Sequence, residues 1–98
     1  MLNDKRLRLI GLAYRAGKVR VGTFITEKLI KEKNAPLVII AEDGSEKQIK
    51  KIIDSAVKNN VEYIVMSTKA ELGNILGREE ALTLVVSDNN FINGIKNT

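Results

Sequence analysis

The residues with the clearest chemical potential surround Gly22-Thr23, where a helical run begins. The first N–H groups of a helix have no partner within it and sit at the positive end of its dipole, so such a start attracts phosphate. Glycine allows close approach to the backbone. Lys18 and Arg20 precede this start, and Lys28 and Lys31 follow it along the helix. A loop, a helix dipole and several cations can therefore converge on one anion. The chain has no His and no Cys. The usual general base, the commonest metal ligand, thiolate zinc sites and disulfides are excluded with them.

Two other groupings invite chemical readings. The segment from Gly11 to Val19 has the outline of a phosphate-binding P-loop. It fails because five residues separate Gly11 from Gly17 where the motif has four, and Val19 stands where a hydroxyl would hold magnesium. Its first glycine also falls within a helical pattern. Glu42, Asp43 and Asp88 fall just past apolar runs that read as strands. Ligands of open α/β sheets gather beyond the carboxyl ends of strands, so Asp43 and Asp88 are candidates for a magnesium site. The ordinary roles of these residues weigh more: Asp43 begins a turn and Asp88 caps a helix.

Charge is unevenly spread. Residues 1–35 carry nine Lys/Arg and three acids, whereas residues 36–98 carry seven and nine. The net +4 of the 98-residue chain is thus a basic third set against a mildly acidic remainder. That asymmetry suits a polyanionic partner, nucleic acid above all. Aromatics are limited to Tyr14, Phe24, Tyr63 and Phe91. The core must then be aliphatic, and a sheet whose exposed rings stack on several bases is not expected. No apolar run approaches a membrane span and the first residues lack a signal-peptide pattern, so a cytoplasmic protein of one domain over residues 1–98 is expected.

The elements that would position these residues follow from periodicity. Asn3 or Asp4 caps a first helix to about Ala16, with Leu7, Ile10 and Tyr14 on one face and Leu9, Leu12, Ala13 and Ala16 widening it. Lys18 to Val21 alternates as a short edge strand. Thr23 caps a second helix to about Lys33, and Asn34 and Pro36 end it. Leu37 to Ala41 reads as a strand buried on both faces. Ser45 and Gln48 open a third helix, whose Ile49, Ile52, Ile53, Ala56 and Val57 follow helical spacing. Tyr63 to Met66 reads as another buried strand, Thr68 with Glu71 as a second capping box, Leu82 to Val86 as the last strand, and Asp88 as the cap of a final helix. Phe24 is expected in the core or as a hydrophobic staple, with base stacking as the alternative. Alternation of helices with apolar strands predicts an α/β fold, a three-layer α/β/α sandwich around a mixed sheet of about four strands.

In order and spacing, several segments resemble a known family. They are Ile10-Gly11-Leu12-Ala13-Tyr14-Arg15-Ala16-Gly17-Lys18, Gly22-Thr23 with Lys28, Leu37 through Asp43, and Thr68-Lys69-Ala70-Glu71-Leu72-Gly73 with Gly77 beyond. Together they resemble the kink-turn-binding ribosomal proteins of the L-seven-Ae and L-thirty type, closest to the bacterial YlxQ-type branch. The resemblance implies the same three-layer sandwich and a non-catalytic protein that binds a sharply bent, kink-turn RNA. Gly22 and Thr23 would approach the RNA backbone, Lys28 would contact phosphate or a base edge, and Asp43 would stand nearby, orienting a cation. Lys69 would add a phosphate contact. Gly77, Arg78 and Glu79 would form a loop over an extruded nucleotide. In archaeal-type kink-turn binders Asn and Glu follow the Gly-Thr pair; here those positions hold Phe24 and Ile25, which cannot read a base edge by hydrogen bonds.

These observations lead to an RNA-binding protein, ribosomal or ribosome-associated, with structured RNA as partner, the ribosome as candidate assembly, and neither cofactor, metal nor membrane. Two alternatives remain at this level. One is a protein-interaction module of the same fold, supported if Phe24 and Ile25 are exposed. The other is a small magnesium-dependent enzyme using Asp43 and Asp88.

Overall fold

The computed structural model describes residues 2–98, with side chains from Asp4 onward. Its elements, in chain order, are α1 (Leu2–Arg15), β1 (Val19–Val21), α2 (Thr23–Lys31), β2 (Leu37–Ile40), α3 (Glu46–Lys58), β3 (Tyr63–Val65), α4 (Lys69–Ile75), β4 (Thr83–Val86) and α5 (Asn89–Lys96). The four strands form one sheet in the order β1-β4-β2-β3. β2 and β3 are parallel, while β4 runs antiparallel to both of its neighbours, β1 and β2. The register pairs Ile40 with Thr83, and Val21 with Leu84.

The period-2 alternation of the central strands builds the layers. Leu37 and Ile39 of β2, with Leu84 and Val86 of β4, pack beside Leu7, Ile10 and Ala13 of α1, Leu72 of α4, and Ile92 and Ile95 of α5. Val38 and Ile40, with Val85, pack on the other face beside Ile30 of α2 and Ile52 and Ala56 of α3. The result is the expected α/β/α sandwich, with α1, α4 and α5 on one face and α2 and α3 on the other. β2 is fully buried along its length. Each such aliphatic side chain contributes roughly 1.5–3 kcal/mol relative to exposure.

Helix ends follow local sequence in most places. Ser45 Oγ accepts the Gln48 N–H, Thr68 and Glu71 form a complete capping box, and Asp88 accepts from the Asn90 and Phe91 N–H groups. Gly17 takes φ +75 at the end of α1, as a left-handed stop requires. β1 is at the sheet edge, as expected.

Five expectations are corrected. α1 begins at Leu2, so Asp4 lies in its first turn and is no cap; an Asn3 side-chain cap falls outside the described residues. Leu12 and Ala16, expected to widen the apolar face of α1, are exposed. The N-cap of α2 is Gly22, and Thr23 is already helical. β3 is the opposite edge strand: Ile64 packs against the core, while Tyr63 and Val65, on the other face of the strand, are exposed. Phe24 is neither core nor staple: it is 82% exposed.

Strand direction decides which loops share an end. β1, β2 and β3 point one way, so the segments that follow them meet the segment that precedes β4. Backbone bonds join them: Gly22 N–H to the Thr83 carbonyl at 3.1 Å, Ala41 N–H to Leu82 at 2.7 Å, and Glu42 N–H to Ser67 at 2.8 Å.

Candidate nucleic-acid interface

At this loop-bearing end of the sheet, α2 starts on Gly22, whose φ of 129 lies outside the range L side chains favour. Gly22 supplies no side-chain acceptor, so no cap hydrogen bond occupies the first turn of α2. No acid lies in that turn either. Unfilled donors and the positive dipole end therefore face outward beside Thr23. A Cβ at position 22 would come within 3.8 Å of Ile25 Cγ2, which marks Ile25 as lying against the backbone at the helix start.

Phe24 projects from the same turn into solvent. With Glu27, Lys28 and Lys31 it lines a shallow groove of about 330 Å³ along α2. Glu27 pairs with Lys51 on α3 at 3.7 Å. Lys28 sits 3.9 Å from Glu32 with more than half its side chain exposed, a loose pair of little energetic weight. Lys31 is exposed and forms no ion pair among the described residues.

The other components arrive from three loops. Asp43, in the turn after β2, accepts the Lys69 backbone N–H at 2.8 Å. Its carboxylate thus ties the β2–α3 turn to the start of α4. Thr68 and Glu71 satisfy further donors there, at 3.1 and 2.8 Å. The start of α4 is closed by Asp43, Thr68 and Glu71, in contrast to the start of α2.

The loop before β4 leaves α4 through Gly77 at φ +69. The Arg78 N–H reaches the Gly73 carbonyl at 2.8 Å, a helix-end motif that Gly77 makes possible. The loop then folds back over α4, and Ala81 N–H bonds the Lys69 carbonyl at 3.0 Å. Arg78, Glu79 and Glu80 are exposed on it.

Gly22, Thr23, Asp43 and Lys69 are therefore at one end of the sheet, while Gly77 and Arg78 lie at the C-terminal end of α4, ~10 Å along its axis from Lys69, on the loop that leads back into β4. Lys28 lies ~7.5 Å down the α2 axis from Thr23, and Lys31 ~12 Å down it. Arg20 is exposed on edge strand β1, opposite Val85. Lys18 stands at the other end of the sheet, where its carbonyl accepts the Ser87 N–H at 2.9 Å. Asp88 is at that far end too, because β4 runs antiparallel to β2. Asp43 and Asp88 thus lie at opposite ends of the sheet and cannot ligate one magnesium ion at the ~2.1 Å that it requires. Among the described residues, no group of three or more His, Cys, Asp or Glu could hold a metal. No helix there is long and apolar enough to cross a membrane.

One exposed group outside this end titrates off its ordinary value. The hydrogen bond from Lys50 to Asp54 on α3, with their Coulombic attraction, raises the Lys50 pKa.

Sequence reasoning missed the exposure of Phe24, and a signal for it existed. Ile25, Thr26, Leu29 and Ile30 form the inward stripe of α2, and Phe24 falls outside that arc.

The family model described as ribosomal protein L7Ae/L30e/S12e/Gadd45 matches residues 4–94. The chain belongs to this family. Its similarity extends to curated relatives. The RNA-binding protein YlxQ of Bacillus subtilis is 36% identical over 85 residues, covering 87% of this chain and 85% of the relative. The large ribosomal subunit protein eL8 of Thermoplasma acidophilum is 32% identical over 88 residues, covering 89% of this chain and 73% of the relative. Among solved structures, a protein of unknown function from Bacillus halodurans superposes with a TM-score of 0.88 at 27% identity, covering 95% of this chain and 94% of that one. A 15.5kD RNA binding protein of Giardia lamblia shares the fold, with a TM-score of 0.83 at 18% identity over 98% of this chain and 82% of its own. The family assignment agrees with the mixed sheet and the loop-bearing end described above.

Proposed function

We propose that this chain is a non-catalytic, cytoplasmic RNA-binding protein, ribosomal or ribosome-associated, whose residues 1–98 act as one domain on a bent, kink-turn-like RNA. One observation carries the reading: the uncapped start of α2 shares an end of the sheet with Lys69, and Lys28 extends it down the helix. The names of relatives such as YlxQ and eL8 support it. Phosphates would be held by the Gly22-Thr23 backbone, Lys28 and Arg78. Neutralising them releases counterions and makes affinity fall with salt. Shape supplies most of the selectivity, since a folded RNA helix shows few readable edges in its deep groove. The protein stabilises the bent form by as much as it prefers that form over the straight one.

Titration of a kink-turn RNA and a fully paired duplex across a salt series tests this. Lys28→Gln should lower the salt slope by about 1, and Lys28→Glu should weaken binding further. Unchanged affinity and slope in both variants would refute the surface.

A protein-interaction module is the second reading, and the exposure of Phe24 favours it. The support is partial, because Ile25 is half-buried and the two residues do not form one apolar patch.

A further inference from the structure

We propose that Phe24 is a stacking platform for an unpaired RNA base, with Lys28 and Lys31 holding the phosphates that flank it. This deepens the RNA-binding reading and rests on it. Phe24 is the most exposed large apolar side chain among the described residues, at 82%. It begins a stripe of α2 at positions i, i+4 and i+7, shared with Lys28 and Lys31, and all three line the same shallow groove. The lysines rise ~6 and ~10.5 Å along the axis from Phe24, so one ring and two cations track a strand laid beside the helix. Glu27 lines the groove too, but it is mostly buried and paired with Lys51 at 3.7 Å, which offsets its charge.

The chemistry selects the occupant. An apolar protein surface needs a continuous apolar core, and Phe24 stands alone ahead of Lys28 and Lys31 with Ile25 half-buried behind it. A nucleotide offers a flat ring and an anion together. Any base has a π-face to stack on the phenyl ring, and none needs a hydrogen-bonding partner at position 24.

Phe24→Ala and Phe24→Trp test the platform, and the exposure of position 24 leaves folding intact in both. The probes are a kink-turn RNA with an unpaired bulge and a fully paired duplex of equal length. Phe24→Ala should bind the bulged RNA about 5- to 100-fold more weakly, with the salt slope and the duplex affinity unchanged. The chain has no Trp, so Phe24→Trp carries a sole indole. Its fluorescence should be quenched by the bulged RNA and not by the duplex. If Phe24→Ala binds the bulged RNA like wild type, or loses duplex and bulged RNA equally, the platform is wrong while RNA binding stands. An indole that stays unquenched at saturation has the same meaning. If the wild-type protein binds neither RNA in dilute salt, the RNA reading fails and the platform with it, leaving Phe24 to a protein contact.

Discussion

Gly73→Ala should destabilise the protein, although alanine is the better helix former. Gly73 is buried inside α4, and a Cβ there would lie 2.4 Å from Glu80 Cα, 2.7 Å from Glu80 N and 2.9 Å from the Glu79 carbonyl carbon. Carbon atoms normally approach to about 3.5 Å, so the overlap is roughly 1 Å. All three obstacles are backbone and cannot rotate aside. The loop that carries them is pinned from Arg78 N–H to Gly73 and from Ala81 N–H to Lys69. Helix propensity returns about 1 kcal/mol for Gly to Ala. Overpacking costs about 1–3 kcal/mol, and immobile backbone belongs at the upper end. The expected net loss is about 1–2 kcal/mol, a fall in Tm on the order of 5–15 °C for a domain of this size. Gly11→Ala is the internal control. In α1 its Cβ would meet Ile75 O at 3.7 Å and Ile75 Cβ at 3.8 Å, ordinary contact distances. It should gain about 0.5–1 kcal/mol from propensity alone. Urea and thermal melts followed by circular dichroism measure both variants. Gly73→Ala should also weaken RNA binding, because the displaced loop bears Arg78. If Gly73→Ala is as stable as wild type while Gly11→Ala behaves as stated, the loop before β4 does not pack on α4 as described.

Two further substitutions probe the same end of the sheet. Ser67→Gly should stabilise by about 1 kcal/mol in denaturant melts, since Ser67 holds φ +60 and its buried hydroxyl has no hydrogen-bond partner. Asp43→Ala should cost about 1 kcal/mol by losing the bond to the Lys69 N–H, whereas Asp43→Asn keeps an acceptor and should lose less; equal losses would assign the effect to charge instead.

Much of the fold is legible in the amino-acid order because local rules and tertiary needs agree. The run Leu37 to Ile40 is apolar on both faces and is central, and Thr68 with Glu71 caps the helix that it precedes. Legibility fails where a residue type serves either of two environments. Tyr63-Ile64-Val65 reads as a buried strand, yet it lies at an edge, because neighbour order is a long-range property. Thr23 is a good N-cap by type, but Gly22 takes that place with a backbone angle that threonine would resist. The close approach of Glu80 to Gly73 has no sequence signal beyond the glycine itself.

The candidate site depends on a feature that element prediction does not supply, the direction of β4. Asp43 and Asp88 each follow an apolar run, and in an all-parallel sheet both would stand at the carboxyl end as one acidic pair. Inserting β4 antiparallel between β1 and β2 reverses its ends. Asp88 is carried to the far end to cap α5, and Leu82 and Thr83, where the chain enters β4, are brought beside Ala41 and Gly22 instead. The same reversal lets β4 bond both neighbours at their loop-bearing ends, through Gly22 to Thr83 and Ala41 to Leu82. A carboxylate pair suited to a cation is thereby exchanged for a glycine-led helix start with unfilled N–H donors, a surface suited to phosphate. One strand orientation thus decides between the two chemistries that the sequence leaves open.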